Sequence, residues 1–261
     1  MLCCDHVDED DAMRSEGTGP LGRVMVISPH LDDAVFSCGE LLSAHPHATV
    51  ATIFAGTPPA GHTTTDWDRA CGFRSACEAM VARRNEDASA LLTLGARPVW
   101  LNFLDSQYCD GSAGATAPQA DDIAESIALL ITREQPDAVL FPLGLFHSDH
   151  DLAHRACLAA WQARSSQVLP GQPSPRWLAY EDALYRRMDG LREQRLAGMN
   201  ESGVRASVYP VTWQGDRAAK AAAVACYASQ LKAFGPGGYD DTADPEGYWS
   251  LDRAGLLHAA A

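Results

Sequence analysis

Short apolar runs alternate with longer segments of helical periodicity along most of this chain. Val24-Met25-Val26-Ile27 is an apolar run of strand length. From Ala34 to Ala44 apolar residues, among them Val35, Leu41 and Leu42, recur at helical spacing. Thr49 to Ala55 reads as a second strand. Ala76 to Leu94 is a strong helical pattern closed by Gly95, a suitable C-terminal cap. Pro98 to Phe103 follows as a strand, Ala120 to Glu134 as a helix ending ahead of Pro136, and Ala138 to Phe141 as a fourth strand. Ala153 to Ala163 is helical. Trp177 to Tyr180 and Ala206 to Tyr209 have strand character, and an Ala-rich helix is expected over Asp216 to Phe234. Strands that alternate with helices predict an α/β fold: a Rossmann-like, mostly parallel sheet with helices on both faces, in a single domain. In such sheets ligands bind beyond the carboxyl ends of the strands. Reactive side chains directly after a strand therefore carry extra weight.

Some segments fall outside this alternation. Residues 1–22 are polar and acidic and end in Gly17-Thr18-Gly19-Pro20-Leu21-Gly22, so they read as a flexible leader ahead of a domain over 23–261. Ser165 to Pro175 and Phe234 to Gly247 read as long surface loops, and the segments Thr57 to Asp68 and Phe234 to Trp249 as loops able to shape a substrate pocket. His45 and His47, on either side of Pro46, are expected in a solvated turn. Cys38 is expected to pack inside the first helix.

Composition narrows the class. The 261 residues are 46% hydrophobic and 21% charged, ordinary for a globular chain long enough to bury a large core. The formal net charge of −14 argues against a nucleic-acid partner, which needs clustered Lys and Arg. No apolar stretch reaches the length of a membrane span, and the acidic N-terminus lacks the apolar core of a secretory signal. A cytoplasmic location is the expectation. The eight cysteines include no C-x-x-C pair and do not read as a disulfide framework. Cys3, Cys4 and His6 read as incidental residues of the leader.

Two segments place metal-ligand chemistry after strands. Pro29-His30-Leu31-Asp32-Asp33 follows the first strand, and His147-Ser148-Asp149-His150 follows the fourth. Imidazole and carboxylate are the ligand types of zinc sites. His30 and Asp33 are three apart at the entry to a helix, where both can face one point, while Asp32 between them must point elsewhere. Either His147 or His150 could complete the set. Two histidines and one carboxylate leave a fourth position open, as catalytic zinc requires. Taken alone, each segment has a plainer alternative: Asp-Asp before a helix is often a cap, and a single His after a strand is often structural. Together at one sheet edge they make the metal reading much stronger.

On these two segments the chain resembles the PIG-L/LmbE-like N-acetylglucosaminyl deacetylase family. The likeness extends to Arg83-Arg84-Asn85-Glu86 with Leu94-Gly95, to Asp105 after the third strand, to Lys220 through Tyr227-Ala228-Ser229-Gln230, and to Tyr248-Trp249. It covers roughly residues 22 to 250. The chain departs from the family pattern at Ser148, where Pro is usual, and at Gly39-Glu40, where Gly-Gly is usual. The resemblance implies zinc held by His30, Asp33 and His150, with Fe2+ or Co2+ as other candidates, and Asp32 as general base. It also implies that a protonated His147, held by Asp149, stabilises the oxyanion, and that Arg83 and Asp105 contact the substrate. The implied reaction is removal of an N-acyl group, first of all N-acetyl, from an amino sugar or glycoconjugate. An amidase acting on a thiol conjugate or an antibiotic, and a catalytically silent metal-binding relative, are the alternatives. A nucleotide-binding module is disfavoured, because no G-x-G-x-x-G or G-x-x-x-x-G-K-[ST] follows a strand.

Overall fold

The computed structural model describes residues 20–59, 64–109, 117–167 and 174–253. The expectations for residues 1–19, with Cys3, Cys4 and His6, lie outside the described residues. The strands are β1 (Val24–Ser28), β2 (Thr49–Thr52), β3 (Arg97–Trp100), β4 (Ala138–Pro142), β5 (Arg176–Tyr180), β6 (Val204–Val208) and β7 (Tyr248–Arg253). The helices are α1 (Asp33–Ala44), α2 (Asp66–Cys71), α3 (Ala76–Thr93), α4 (Ala120–Glu134), α5 (Ser148–Gln167), α6 (Leu191–Glu201), α7 (Arg217–Val224) and α8 (Ala228–Phe234).

The strands form one sheet in the order β3-β2-β1-β4-β5-β7-β6. β1 to β5 are parallel, and β7 runs antiparallel to both β5 and β6. Alternate residues of a strand point to opposite faces, and here each face is dry. Val24 and Val26 of β1, with Ala138 and Leu140 of β4, join the core under α1, α3 and α7. Met25 and Ile27, with Val139 and Phe141, join the core under α4, α5 and α6. The result is a single α/β domain with helices on both sides of a mostly parallel sheet.

From β1 the chain moves outward through β2 to β3, then returns to place β4 against the other side of β1. The carboxyl ends of β1 and β4 therefore diverge into a crevice at a topological switch point, where open α/β sheets bind ligands. Both ligand-rich segments emerge there.

The structure corrects several expectations. The Ala-rich helix is two helices, α7 and α8, broken around Tyr227. The break is favoured by partners on α3: Tyr227 is fully buried and its hydroxyl donates to Asp87 Oδ1 at 2.9 Å, while Glu86 accepts from the Ser229 amide at 2.8 Å and caps α8. Helix α5 begins at Ser148, so His150 sits in its first turn, and it runs to Gln167 into the expected loop from Ser165. His45 is not solvated: it is buried, with Nδ1 facing Leu41 O at 2.9 Å and Nε2 accepting from the Leu21 amide at 3.3 Å. His47 is exposed and Cys38 buried, as expected.

Helix α1 carries a kink at Cys38 (φ −133°, ψ 20°) that frees the amides of Glu40 and Leu41. The Glu246 carboxylate accepts from both, at 2.7 and 3.0 Å, and also meets Lys220 Nζ at 2.8 Å and the Tyr248 hydroxyl at 2.6 Å. A Cβ on Gly39 would lie 2.5 Å from Lys220 Cγ, so the lysine stem requires glycine there. At the next position Glu40 packs on Gly215 and pairs with Arg217 at 3.2 Å.

Candidate active site

The turn after β1 is tied down by Ser28, whose hydroxyl donates to His30 O at 2.6 Å and accepts from the Ala34 amide at 3.0 Å. This fixes His30, Asp32 and Asp33 at the start of α1. Asp33 Oδ2 is the hub of the site. It accepts from the His30 amide at 2.8 Å and lies 3.1 Å from both His30 Nδ1 and His150 Nε2. A tetrahedral ion with bonds of about 2.0–2.1 Å separates neighbouring ligand atoms by roughly 3.3 Å. The three groups are thus spaced to hold a divalent cation, and His30, Asp33 and His150 offer ligand atoms within 4.8 Å of one another. His30, His147 and Asp149 satisfy the same criterion.

Asp32 stands next to this triad. It occupies the N-cap position of α1, yet its side chain makes no capping hydrogen bond, so the plain capping alternative does not hold. Only 5% of the residue is exposed. Burial and the neighbouring Asp33 push its carboxyl up to about 6, partly offset by Arg83 and His30. Asp33 goes the other way: burial opposes it, but His150 and His30 hold its carboxyl well below the usual range. Burial pulls the His150 imidazole down, yet Asp33 and Asp182 outweigh it and hold it at about 9. His30 is likewise raised against burial by Asp105, Asp149 and Asp33.

The expected pairing of Asp149 with His147 is not found. The Asp149 carboxylate instead faces His30 Nε2 at 3.1 Å and accepts from the Ser106 amide at 3.0 Å. What reaches His147 is the Asp149 backbone amide, which donates to Nδ1 at 3.2 Å. Burial, with the His30 and His150 charges, lowers the His147 imidazole below its ordinary value. A neutral ring whose Nδ1 accepts must carry its proton on Nε2.

Arg83, which the resemblance implies as a substrate contact, is buried. Its Nη1 lies 3.8 Å from Asp105 Oδ2. Glu86 is engaged by Ser229, and Asp87 by Trp100 and Tyr227. The Arg83 Nε has no hydrogen-bond partner. Asp105 serves two purposes. It caps a short turn by accepting from Gln107 N and Nε2 at 3.0 and 2.8 Å, and its Oδ2 lies 3.7 Å from His30 Nε2.

His30, Asp32, Asp33, Arg83, Asp105 and His147 line a cavity of about 270 Å³ together with Trp67, Gln107, Leu184, Tyr185, Gln230 and Phe234. Trp67 and Phe234 meet edge to face at 5.1 Å, and Gln230 fixes the indole by accepting from its Nε1 at 3.0 Å. Sequence reasoning placed the loops of Trp67 and Phe234 near a pocket but missed Gln107, Leu184, Tyr185 and Gln230 as lining residues. Asp182, which faces His150 Nδ1 at 2.6 Å, was also unassigned. Its one signal was its position just after β5. Tyr248 and Trp249 lie in β7, away from the cavity lining.

Comparison with known proteins decides the family. The description of GlcNAc-PI de-N-acetylases, PIG-L, matches residues 25–161, more than half of the chain, and takes in both ligand segments. The chain belongs to the PIG-L family. Within it, the chain is 33% identical over 180 residues to a 2'-N-acetylparomamine deacetylase of Streptomyces fradiae. That match covers 63% of this chain and 58% of the relative. The PIG-L fold seen here is also that of a deacetylase of the teicoplanin biosynthetic pathway, with a TM-score of 0.69 at 24% identity over 90% of this chain and 99% of that one. An A40926 pseudoaglycone deacetylase superposes with a TM-score of 0.64 at 25% identity, over 89% and 98% of the two chains. Among the described residues no helix of this PIG-L chain is long and apolar enough to cross a membrane.

Proposed function

We propose that the domain, taken as residues 23–261, is a metal-dependent N-deacetylase that hydrolyses the acetamide of an amino sugar. The observation that carries the proposal is Asp32: a buried carboxylate, free of capping duty, at the edge of a triad spaced for a divalent cation. A non-catalytic metal-binding relative would have no use for it.

His30, Asp33 and His150 would hold the ion, zinc first and Fe2+ or Co2+ as alternatives. A bound ion would supply Lewis acidity toward both the attacking water and the amide carbonyl. Asp32 takes a proton from the water as its oxygen bonds to the carbonyl carbon. His147 donates from Nε2 to the developing oxyanion as a neutral imidazole, which its contact with the Asp149 amide favours. Asp149 acts through His30 rather than through His147. When the C–N bond breaks, Asp32 returns the proton to the leaving nitrogen, giving acetic acid and the free amine, which ionise to acetate and ammonium. Arg83 and Asp105, which line the cavity, would donate to and accept from sugar hydroxyls. A cavity of about 270 Å³ is small against the roughly 300–1,000 Å³ usual for ligand sites, which suits one sugar ring and its acetyl group. Because a relative acts on 2'-N-acetylparomamine, that compound heads the substrates to test, followed by N-acetylglucosamine conjugates.

The experiment is amine release from these substrates by protein of measured metal content. Wild-type protein is expected to turn over at least one of them. Asp32→Asn should keep its metal and lose roughly 10²–10⁴-fold in kcat. Near-normal turnover by metal-loaded Asp32→Asn would remove Asp32 from the base role.

A further inference from the structure

Asp182 belongs to neither ligand segment, yet both its oxygens are committed at the site. The residue is 1% exposed. Its Oδ1 lies 2.6 Å from His150 Nδ1, while Oδ2 accepts from the amides of Gly144 and Leu145 at 2.9 and 3.2 Å. The placement follows from topology. β5 is the parallel neighbour of β4, so the loop leaving β5 runs beside the one leaving β4. The β4 loop has little slack: Gly144 takes φ +78°, and a Cβ there would come within 2.6 Å of His154 Cβ and 2.8 Å of His150 O.

The other nitrogen of His150, Nε2, is the one turned to Asp33. A neutral imidazole carries one proton, so donation from Nδ1 leaves the Nε2 lone pair free. We propose that Asp182 is a positioning residue: it holds His150 in the Nδ1–H form and clamps the Gly144–Leu145 backbone, so that Nε2 meets a divalent metal ion unprotonated and already oriented. The inference rests on the metal-dependent reading above.

Asparagine at this position gives a sharp test, because it has nearly the same shape but only one acceptor. With its oxygen toward the Gly144 and Leu145 amides, its NH2 faces His150 and favours the tautomer with the proton on Nε2. With its oxygen toward His150, its NH2 collides with two backbone donors. The first orientation takes the unprotonated nitrogen from the metal position, and the second takes away the backbone clamp that orients it. Wild type and Asp182→Asn would be stripped of metal, checked for fold by circular dichroism, and titrated with zinc against a chromophoric chelator. The expected result is a folded variant with about 10- to 100-fold weaker zinc affinity, an altered Co2+ absorption spectrum, and a kcat that recovers toward wild type only at saturating zinc. Wild-type affinity and an unchanged Co2+ spectrum would overturn the assignment. Should Asp182→Asn fail to fold, nuclear magnetic resonance of zinc-loaded wild type decides. A downfield, slowly exchanging Nδ1 proton on His150 supports the clamp, and a rapidly exchanging one refutes it. Failure of wild type itself to bind zinc, seen before any variant is made, would sink the metal reading and this inference with it.

Discussion

Asp32 and Asp33 are the same residue type, adjacent, and both buried, yet their surroundings give them opposite tendencies. Asp33 lies between two imidazoles and stays ionised, whereas burial and the neighbouring Asp33 push Asp32 toward a proton-exchanging range against the pull of Arg83 and His30. The sequence made this division readable, because three-residue spacing aims His30 and Asp33 together and sends Asp32 elsewhere. It could not show where the Asp149 carboxylate points, since that depends on how closely the β3 and β4 loops approach. The Ser106 amide and His30 capture the carboxylate between them. Asp105 illustrates a mixed role, holding Gln107 while facing Arg83 and His30. Asp105→Ala should therefore keep its metal, because Asp105 is outside the triad, but show a raised KM or a lowered kcat on a sugar substrate. Steady-state kinetics beside elemental analysis checks this; unchanged kinetic constants with lowered stability would reduce Asp105 to a cap.

At the scale of elements, the legible parts were those with one strong periodicity. β1 and β4 were read nearly to their ends because each is buried along its whole length, and α3 because its helical spacing runs unbroken to Gly95, although its buried face carries Arg83 and Asp87. α2, which begins inside the segment read as a loop to Asp68, α6 and β7 were missed. α6, over Leu191–Glu201, buries only Met199, so it has little apolar stripe to find. β7 alternates weakly and pairs between β5 and β6 through contacts distant in sequence. The break between α7 and α8 was hidden for a related reason: nothing local ends the Ala-rich run, and the partners that favour the break, Glu86 and Asp87, come from α3. Glu246 connects such elements most directly. It caps the second half of α1 and neutralises Lys220, which is 3% exposed. Glu246→Gln would leave a buried ammonium without its counter-charge, a loss on the order of 3–5 kcal/mol. Urea unfolding of the variant should show a lower midpoint at similar slope. A shift below roughly 1 kcal/mol, the scale of an ordinary hydrogen bond, would mean that water reaches Lys220 in place of the carboxylate.

Across the whole molecule, the site lies where the sheet changes direction, and this ties metal binding to stability. His30 and Asp33 follow β1 and His150 follows β4, two strands that are neighbours in the sheet but more than a hundred residues apart in sequence. An ion bridging them would close a long loop that the unfolded chain keeps open, and would bind the folded state almost exclusively. At a free concentration 100 times its Kd it would add about 2.7 kcal/mol of stability. For a domain near this size each kcal/mol moves Tm by about 2–4 °C, so removing the ion should lower Tm by roughly 5–11 °C. The charge arrangement points the same way. With Asp33, Asp149 and Asp182 gathered around His30 and His150, the site carries an excess of carboxylates that a divalent cation would balance. Thermal scans with a chelator, then with graded zinc, measure this directly, and His30→Ala should abolish the metal-dependent part of the shift. Were loaded and stripped wild-type protein to melt together, the triad would not be linking the two strand ends, however well its spacing suits an ion.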